Sequence, residues 1–416
     1  MANRHVVSPK LLQSLRYFTR PLNSTASSSV TAVSPLNLEE KPDPVIAKPS
    51  TAASANSILK LDDVKELFSS VSTTKLLRSA INLHVAAVEP VVDLGMWVMK
   101  SGLMDTVVLR EVMLTAIKHT FYEHFCAGHD PAEAGRTAMK LWDSGLRGML
   151  VYALEHAVDN ESCDQNLEGF LKTVESTKSI PQSSVSCIIV KITAICPIGL
   201  LQRVSDLLRW EYTNESFRLP WKLNTLPIFS DQSPFYHTPS KPDPLTSEEE
   251  QDLYLAHQRL QKLCESCLEA DVPLSIDAED TFVQPAIDYF TYSAAIKYNK
   301  DDNPIIYGTI QTYLKDSKER LFQATKAAEK MGMPMGFKLV RGAYMTSESR
   351  LASSLGVESP IHSSIEQTHG CFNECASFML EKTANGSGAV FLATHNIESG
   401  ELLEVSIHFS VRKLLV

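Results

Sequence analysis

Between residues 59 and 134 apolar side chains recur at helical spacing, as in Val85, Val88, Val92 and Met96 and again in Val107, Val108, Val112 and Ala116. That period lines one face of a helix and predicts a helical N-terminal region, placed at 58–140. The rhythm then changes. Short, β-branched apolar runs follow at 148–153, 187–195, 273–277, 305–310, 337–341 and 389–394, separated by longer helical patterns. Near-continuous hydrophobicity suits strands covered on both faces, and alternation with helices requires parallel crossovers. The helix before the third strand is sharply marked: Thr246 and Glu249 have capping-box spacing, and Leu253, Ala256, Leu260, Leu263 and Cys267 form one apolar face.

Six strands without a Gly-x-Gly-x-x-Gly turn favour an α/β fold of the (βα)8 TIM-barrel type over a Rossmann sheet. About six βα units are readable, within residues 141–396. Residues 209–244 break the rhythm with Trp210, Trp221, Phe229, Phe235, Tyr236 and several prolines, and read as an insertion packed on the barrel flank.

Composition adds limits. The 416 residues are 44% hydrophobic, enough for a sizeable core, and the formal charge of −10 without a dense Lys/Arg cluster argues against nucleic-acid binding. The charge is uneven. The first acidic residue is Glu39, whereas Arg4, Lys10, Arg16 and Arg20 alternate with Leu11, Leu12, Leu15 and Phe18 and lead into a Ser/Thr-rich stretch. That is the signature of an organelle transit peptide, read at 1–35 and followed by a Pro/Ser/Ala linker at 36–57. The mitochondrion is the expected destination. Apolar stretches are broken by Glu89, Pro90 and Asp93 or by Lys191 and Pro197, so membrane contact is expected to be peripheral. The eight cysteines read as reduced thiols. Cys264, Cys267, Cys371 and Cys375 have ligand-like spacing, but they sit in helix-periodic segments where Cys is an apolar filler, so no metal site is expected.

Candidate chemistry gathers where strands end, which is where a TIM barrel keeps it. Lys191 interrupts an apolar run, where burial is costly unless the ammonium meets an anion; a snorkelling rim lysine is the alternative. Asp277, Glu279 and Asp280 follow the third strand, where a carboxylate could pair with Lys191, accept a substrate N–H or cap a helix. Gln311 ends the fourth strand with an amide that both donates and accepts. The fifth ends in Lys338-Leu-Val-Arg-Gly-Ala-Tyr344, two cations, a flexible glycine and an aromatic plane. The sixth ends in Thr394-His395-Asn396.

These stretches carry a resemblance to proline dehydrogenase, in particular to its plant members. The matching motifs are Ser275-Ile-Asp-Ala-Glu279, Tyr307-Gly-Thr-Ile-Gln-Thr-Tyr-Leu-Lys315, Phe337-Lys-Leu-Val-Arg-Gly-Ala-Tyr344 and Phe391-Leu-Ala-Thr-His-Asn396. Another flavin-dependent barrel, such as methylenetetrahydrofolate reductase, is not expected to carry the third of these. The resemblance implies a distorted barrel holding non-covalent FAD, oxidation of L-proline to Δ1-pyrroline-5-carboxylate, and electron transfer to membrane quinone on the matrix side of the mitochondrial inner membrane. It also implies roles: Lys191 on the substrate carboxylate, Asp277 near the amine and Tyr344 against the ring. Gln311, Lys338, Val340, Gly342, Thr394 and His395 would contact the cofactor, with Ser363 a further contact. Lys338 would stabilise the anionic reduced flavin.

After Gly400 the likeness stops. The resemblance implies two further strands and a last helix carrying an Arg-Arg pair that clamps the carboxylate, whereas residues 397–416 form a divergent tail. The alternative expectation is therefore a non-catalytic truncated isoform, or a gene product read past an exon boundary, that lacks this clamp.

Overall fold

The computed structural model describes residues 64–69, 71–300 and 304–403. The expected transit segment and linker, and most of the expected divergent tail, lie outside the described residues. The chain divides into two compact units, residues 1–124 and 125–416.

The described part of the first unit is helical, as its apolar period predicts. Its longer helices are α1 (Thr73–Ala86), α2 (Glu89–Lys100) and α3 (Val107–Ile117). Ser72 caps α1 by accepting from the backbone N–H of Lys75, and Pro90 opens α2, where a missing N–H costs nothing. The first two helices meet at an 80° bend. No single described helix is long and apolar enough to cross a membrane.

The second unit holds one six-stranded parallel sheet in the order β1 to β6, with neighbours in space following neighbours in sequence. The strands are β1 (Gly148–Val151), β2 (Val185–Val190), β3 (Leu274–Ile276), β4 (Ile306–Gln311), β5 (Met335–Val340) and β6 (Gly388–Leu392). A doubly wound sheet must reverse its order at a switch point; this one never does, which is the path of a barrel wall. The expected α/β barrel class is what the chain forms, as a six-stranded parallel half-barrel.

Connecting helices cover the outer face: α4 (Pro131–Asp143) precedes β1, and α5 (Asn160–Thr177), α6 (Ile198–Thr213) and α7 (Ser247–Glu269) flank β2 and β3. Then come α8 (Gln284–Tyr298), α9 (Ser317–Lys330), α10 (Met345–Leu355) and α11 (Ile365–Ala384). The capping box of α7 is formed as its sequence predicts, with both Thr246–Glu249 hydrogen bonds in place. Burial tracks position in the sheet: all six residues of β4 are buried, whereas β1 alternates buried and exposed.

Two boundaries differ from the pattern reading. The run expected as one strand at 187–195 stops at Val190, and Ile192–Ala194 form a 3-10 turn that is fully buried. Apolar periodicity cannot separate a buried turn from a buried strand. Lys191 is thus the first residue beyond the strand, not an interruption within it. The aromatic segment expected from 209 begins later, because α6 runs to Thr213. Its remainder buries Leu219, Leu226, Ile228 and Phe229 in the main core.

Candidate functional site

The carboxyl ends of β2 to β6 converge on one cavity of about 470 Å3. Ladder hydrogen bonds beyond the strands fix its walls. The Asp277 N–H donates to Val190 O at 2.9 Å, holding the end of β3 beside Lys191, and Tyr313 N–H donates to Arg341 O at 2.7 Å. Gly342 then turns the chain at φ +140°. A Cβ there would lie 1.7 Å from the Tyr313 ring, so only glycine lets β5 leave the sheet this closely packed.

Of the ten residues expected in the site, nine line this cavity: Lys191, Asp277, Gln311, Lys338, Val340, Gly342, Tyr344, Thr394 and His395. Ser363 does not. It is exposed at the start of α11, where its N–H and hydroxyl both donate to Gln367 Oε1. A hydroxyl that satisfies a helix entrance carries the same sequence signal as one that meets a ligand.

The pairings are more specific than the sequence allowed. Asp277 pairs with Lys338, not with Lys191. The Lys338 side chain is only 8% exposed, and this pairing offsets the cost of burying its charge. Lys191 instead donates to the Tyr344 hydroxyl at 3.1 Å and lies 3.3 Å from Glu155. Burial pulls the Lys191 ammonium toward losing its proton, but nearby Glu279 and Tyr344 outweigh it, so the group is held charged. Burial also pushes the Tyr344 hydroxyl up to about 12, keeping it a neutral donor and acceptor at physiological pH.

Beneath Lys191 the carboxylates of Glu155 and Glu279 and a ring nitrogen of His156 lie within 4.8 Å of one another. The spacing would suit a cation. The Lys191 ammonium already stands on Glu155, so the cluster reads as a seat for lysine. Neither Glu155 nor His156 was legible as a site residue, since both lie in the loop after β1 without a motif. That loop is tied to the end of β2 by Ala157 N–H donating to Thr193 O at 2.7 Å.

At the opposite wall stands Arg341, the second cation of the conspicuous run, which the sequence reading left without an individual role. Its Nε donates to His369 Nδ1 at 2.8 Å, Nη1 donates to the Thr394 hydroxyl and Nη2 to Ser399 Oγ at 2.8 Å. Its guanidinium lies 4.3 Å from the centre of the Phe372 ring. Among the described residues, none of these partners is a carboxylate. A guanidinium positioned by four uncharged groups at a cavity wall is available to an anion.

The two walls therefore offer complementary chemistry. One holds an ammonium and a phenol beside paired acids, suited to a small amino acid. The other holds a guanidinium with imidazoles and hydroxyls, suited to a phosphate-bearing group, and Gln311, Lys338 and the Val340–Gly342 backbone lie between them.

Comparison with known proteins gives the same direction. The sequence profile of the family described as proline dehydrogenase matches residues 134–408. The chain is 53% identical over 388 residues to proline dehydrogenase 1, mitochondrial, of Arabidopsis thaliana, covering 92% of this chain and 78% of that protein. It is 57% identical over 347 residues to proline dehydrogenase 2, mitochondrial, of the same plant, covering 83% and 73%. Among solved structures it resembles proline utilization A from Bdellovibrio bacteriovorus, inactivated by N-propargylglycine, with a TM-score of 0.53 and 17% identity. That likeness covers 72% of this chain and 28% of the longer polypeptide, and at this identity it speaks for the fold alone.

Proposed function

The chain belongs to the proline dehydrogenase family of oxidoreductases, and from that premise we propose that it oxidises L-proline to Δ1-pyrroline-5-carboxylate with bound FAD, in the mitochondrion. The observation that carries this reading is the arrangement of Lys191 with Tyr344, and of Asp277 with Lys338, at the strand ends of one cavity.

Lys191 is the charged group suited to the substrate carboxylate, and Tyr344, hydrogen-bonded to it, offers a flat face to the pyrrolidine ring. Asp277, paired with Lys338, would accept from the substrate nitrogen. The residues present also fit a flavin dinucleotide. Lys338 and Gln311 offer donors to the polar edge of a ring system, the glycine at 342 permits close backbone approach, and Arg341 supplies an uncompensated cation for phosphate oxygens. When bound, that cofactor supplies the two-electron acceptor; the protein's part is to orient the substrate and exclude water. Val340, Thr394 and His395 complete the proposed contact set, and Ser363, which lies off the cavity, is left out of it. Quinone is the proposed final electron acceptor, with peripheral contact at the matrix face of the inner membrane.

The test is spectroscopic. Purified chain is expected to carry a flavin absorbance that L-proline bleaches without oxygen and a soluble quinone restores. Bound flavin that proline fails to bleach would overturn the reading.

A further inference from the structure

Behind Lys191, off the cavity wall, lies a buried carboxylate that the proposed reaction leaves without a task. Glu279 is 1% exposed. Its carboxylate accepts from the Thr193 hydroxyl at 2.7 Å, its backbone N–H donates to Gln284 Oε1 at 2.8 Å, and its carbonyl accepts from Gln311 Nε2 at 2.9 Å. Held on both sides, it cannot swing to solvent.

The charged and titratable groups around it come from four strand ends: Glu155 and His156 after β1, Lys191 after β2, Asp277 and Asp280 after β3, and Tyr344 after β5. His156 Nε2 lies 3.9 Å from the Glu279 carboxylate, and its side chain is one-third exposed, which links the buried acid to water.

We propose that Glu279 is a positioning residue that takes up a proton when a carboxylate ligand reaches Lys191, so that the ammonium can receive the anion without a third negative charge beside it. The inference rests on the reading that Lys191 meets the substrate carboxylate. Glu155, Glu279 and the incoming anion would otherwise share one cation in a poorly solvated space, and like charges at such spacing cannot all stay ionised. Glu155 keeps partial solvent exposure and a direct ion pair with Lys191. Glu279, the most buried, is the acid that yields. Burial already raises its carboxyl to about 7, against the opposing pull of Lys191 and Thr193, so protonation near neutrality is accessible.

Calorimetry on the full chain tests this with pyrrole-2-carboxylate, a flat carboxylate that cannot undergo the reaction, in two buffers of different ionisation enthalpy. Wild type should take up most of one proton on binding about one pH unit above the Glu279 titration, and its affinity should weaken by up to tenfold per further unit. Glu279→Gln should bind with no proton uptake and little pH dependence. Thr193→Val keeps the acid but removes a donor that favours its ionised form, so uptake should extend to higher pH.

Wild-type binding without proton exchange, or undiminished uptake in Glu279→Gln, overturns the proposal. If Glu279→Gln fails to fold, an unchanged pH range in Thr193→Val does so instead. Lys191→Met separates the two readings: unimpaired binding shows that the carboxylate is not at Lys191 and sinks both, whereas lost binding with uptake indifferent to Glu279 sinks this one alone.

Discussion

Lys191 and Arg341 line the same cavity and are held in opposite ways. Lys191 stands among acids, in an ion pair with Glu155 and within the field of Glu279. Arg341 is fixed by His369, Thr394, Ser399 and Phe372, which orient its charge without cancelling it. The difference teaches how one cavity can serve two anions. On the proposed reading, a ligand carboxylate at Lys191 would compete with carboxylates already present, and its binding would be pH-sensitive. An anion at Arg341 would meet a standing positive charge with no carboxylate to displace, which is what the proposed cofactor's phosphates would require.

The hardest way to break the comparison is to move Arg341 together with Tyr344, the hydrogen-bond partner of Lys191. Gly342→Ala would force a Cβ into the Tyr313 ring at a backbone angle that side chains rarely adopt. The expected loss is roughly 3 kcal/mol or more of stability, together with bound flavin, read by urea unfolding and absorbance. Unchanged stability would mean that the chain takes another path out of β5.

Separating the walls comes next. Lys191→Met is expected to raise the half-saturating proline concentration about 30-fold or more while flavin content stays at the wild-type level. Arg341→Met should do the reverse, with flavin depleted by the loss of charged hydrogen bonds of about 1.5–3 kcal/mol each and proline affinity of the reloaded fraction little changed. If both variants lose flavin equally, the two walls are not distinct.

Stability against pH sharpens the acidic side alone. The Glu279 carboxyl is raised to about 7 in the folded chain, above its ordinary 4.5. A raised acid favours folding when protonated, so its contribution is complete below 4.5 and is lost as pH climbs through 7. Asp288, lifted to about 6 by burial despite Arg320, acts in the same direction and steepens the fall. Glu279→Gln should remove roughly 3 kcal/mol of that decline, leaving the Asp288 share. A curve as steep as wild type would place the titration elsewhere.

How much of this could be read from the chain follows from what each signal depends on. The strands and their order were legible because parallel strands buried on both faces need unbroken apolar runs, and β2, β4 and β5 supply them. Nine of the expected residues line the cavity, most of them because a barrel gathers polar groups at strand ends, with Val340 and Gly342 supplied by the family resemblance. What pairs with what was not. Asp277 and Lys338 lie 61 positions apart and meet only because β3, β4 and β5 are adjacent. Glu155 and His156 lie in a loop with no periodicity, and their approach to Lys191 is set by the tie between Ala157 and Thr193. Arg341 was visible as the second cation of a basic run but was given no role of its own; its partners, none of them a carboxylate, reveal its place.

The smallest expected effect probes how Arg341 is held. Its guanidinium stacks on Phe372, a fully buried residue of α11, while His369, one turn earlier on the same helix, fixes Nε. Phe372→Leu keeps an apolar filler of similar volume but removes the aromatic face. A cation–π contact of this kind is worth about 0.5–2 kcal/mol, so flavin affinity should fall some 3- to 30-fold while proline affinity at Lys191 holds. The same substitution tests whether α11 acts as a lever on one wall only. Because α11 packs on β5 and β6, while Lys191 and its acids rest on the ends of β1 to β3, a repacked α11 should not reach them. A shift in the pH dependence of carboxylate binding in this variant would show that the walls are coupled through the sheet, and that the contrast between the two cations is one of degree.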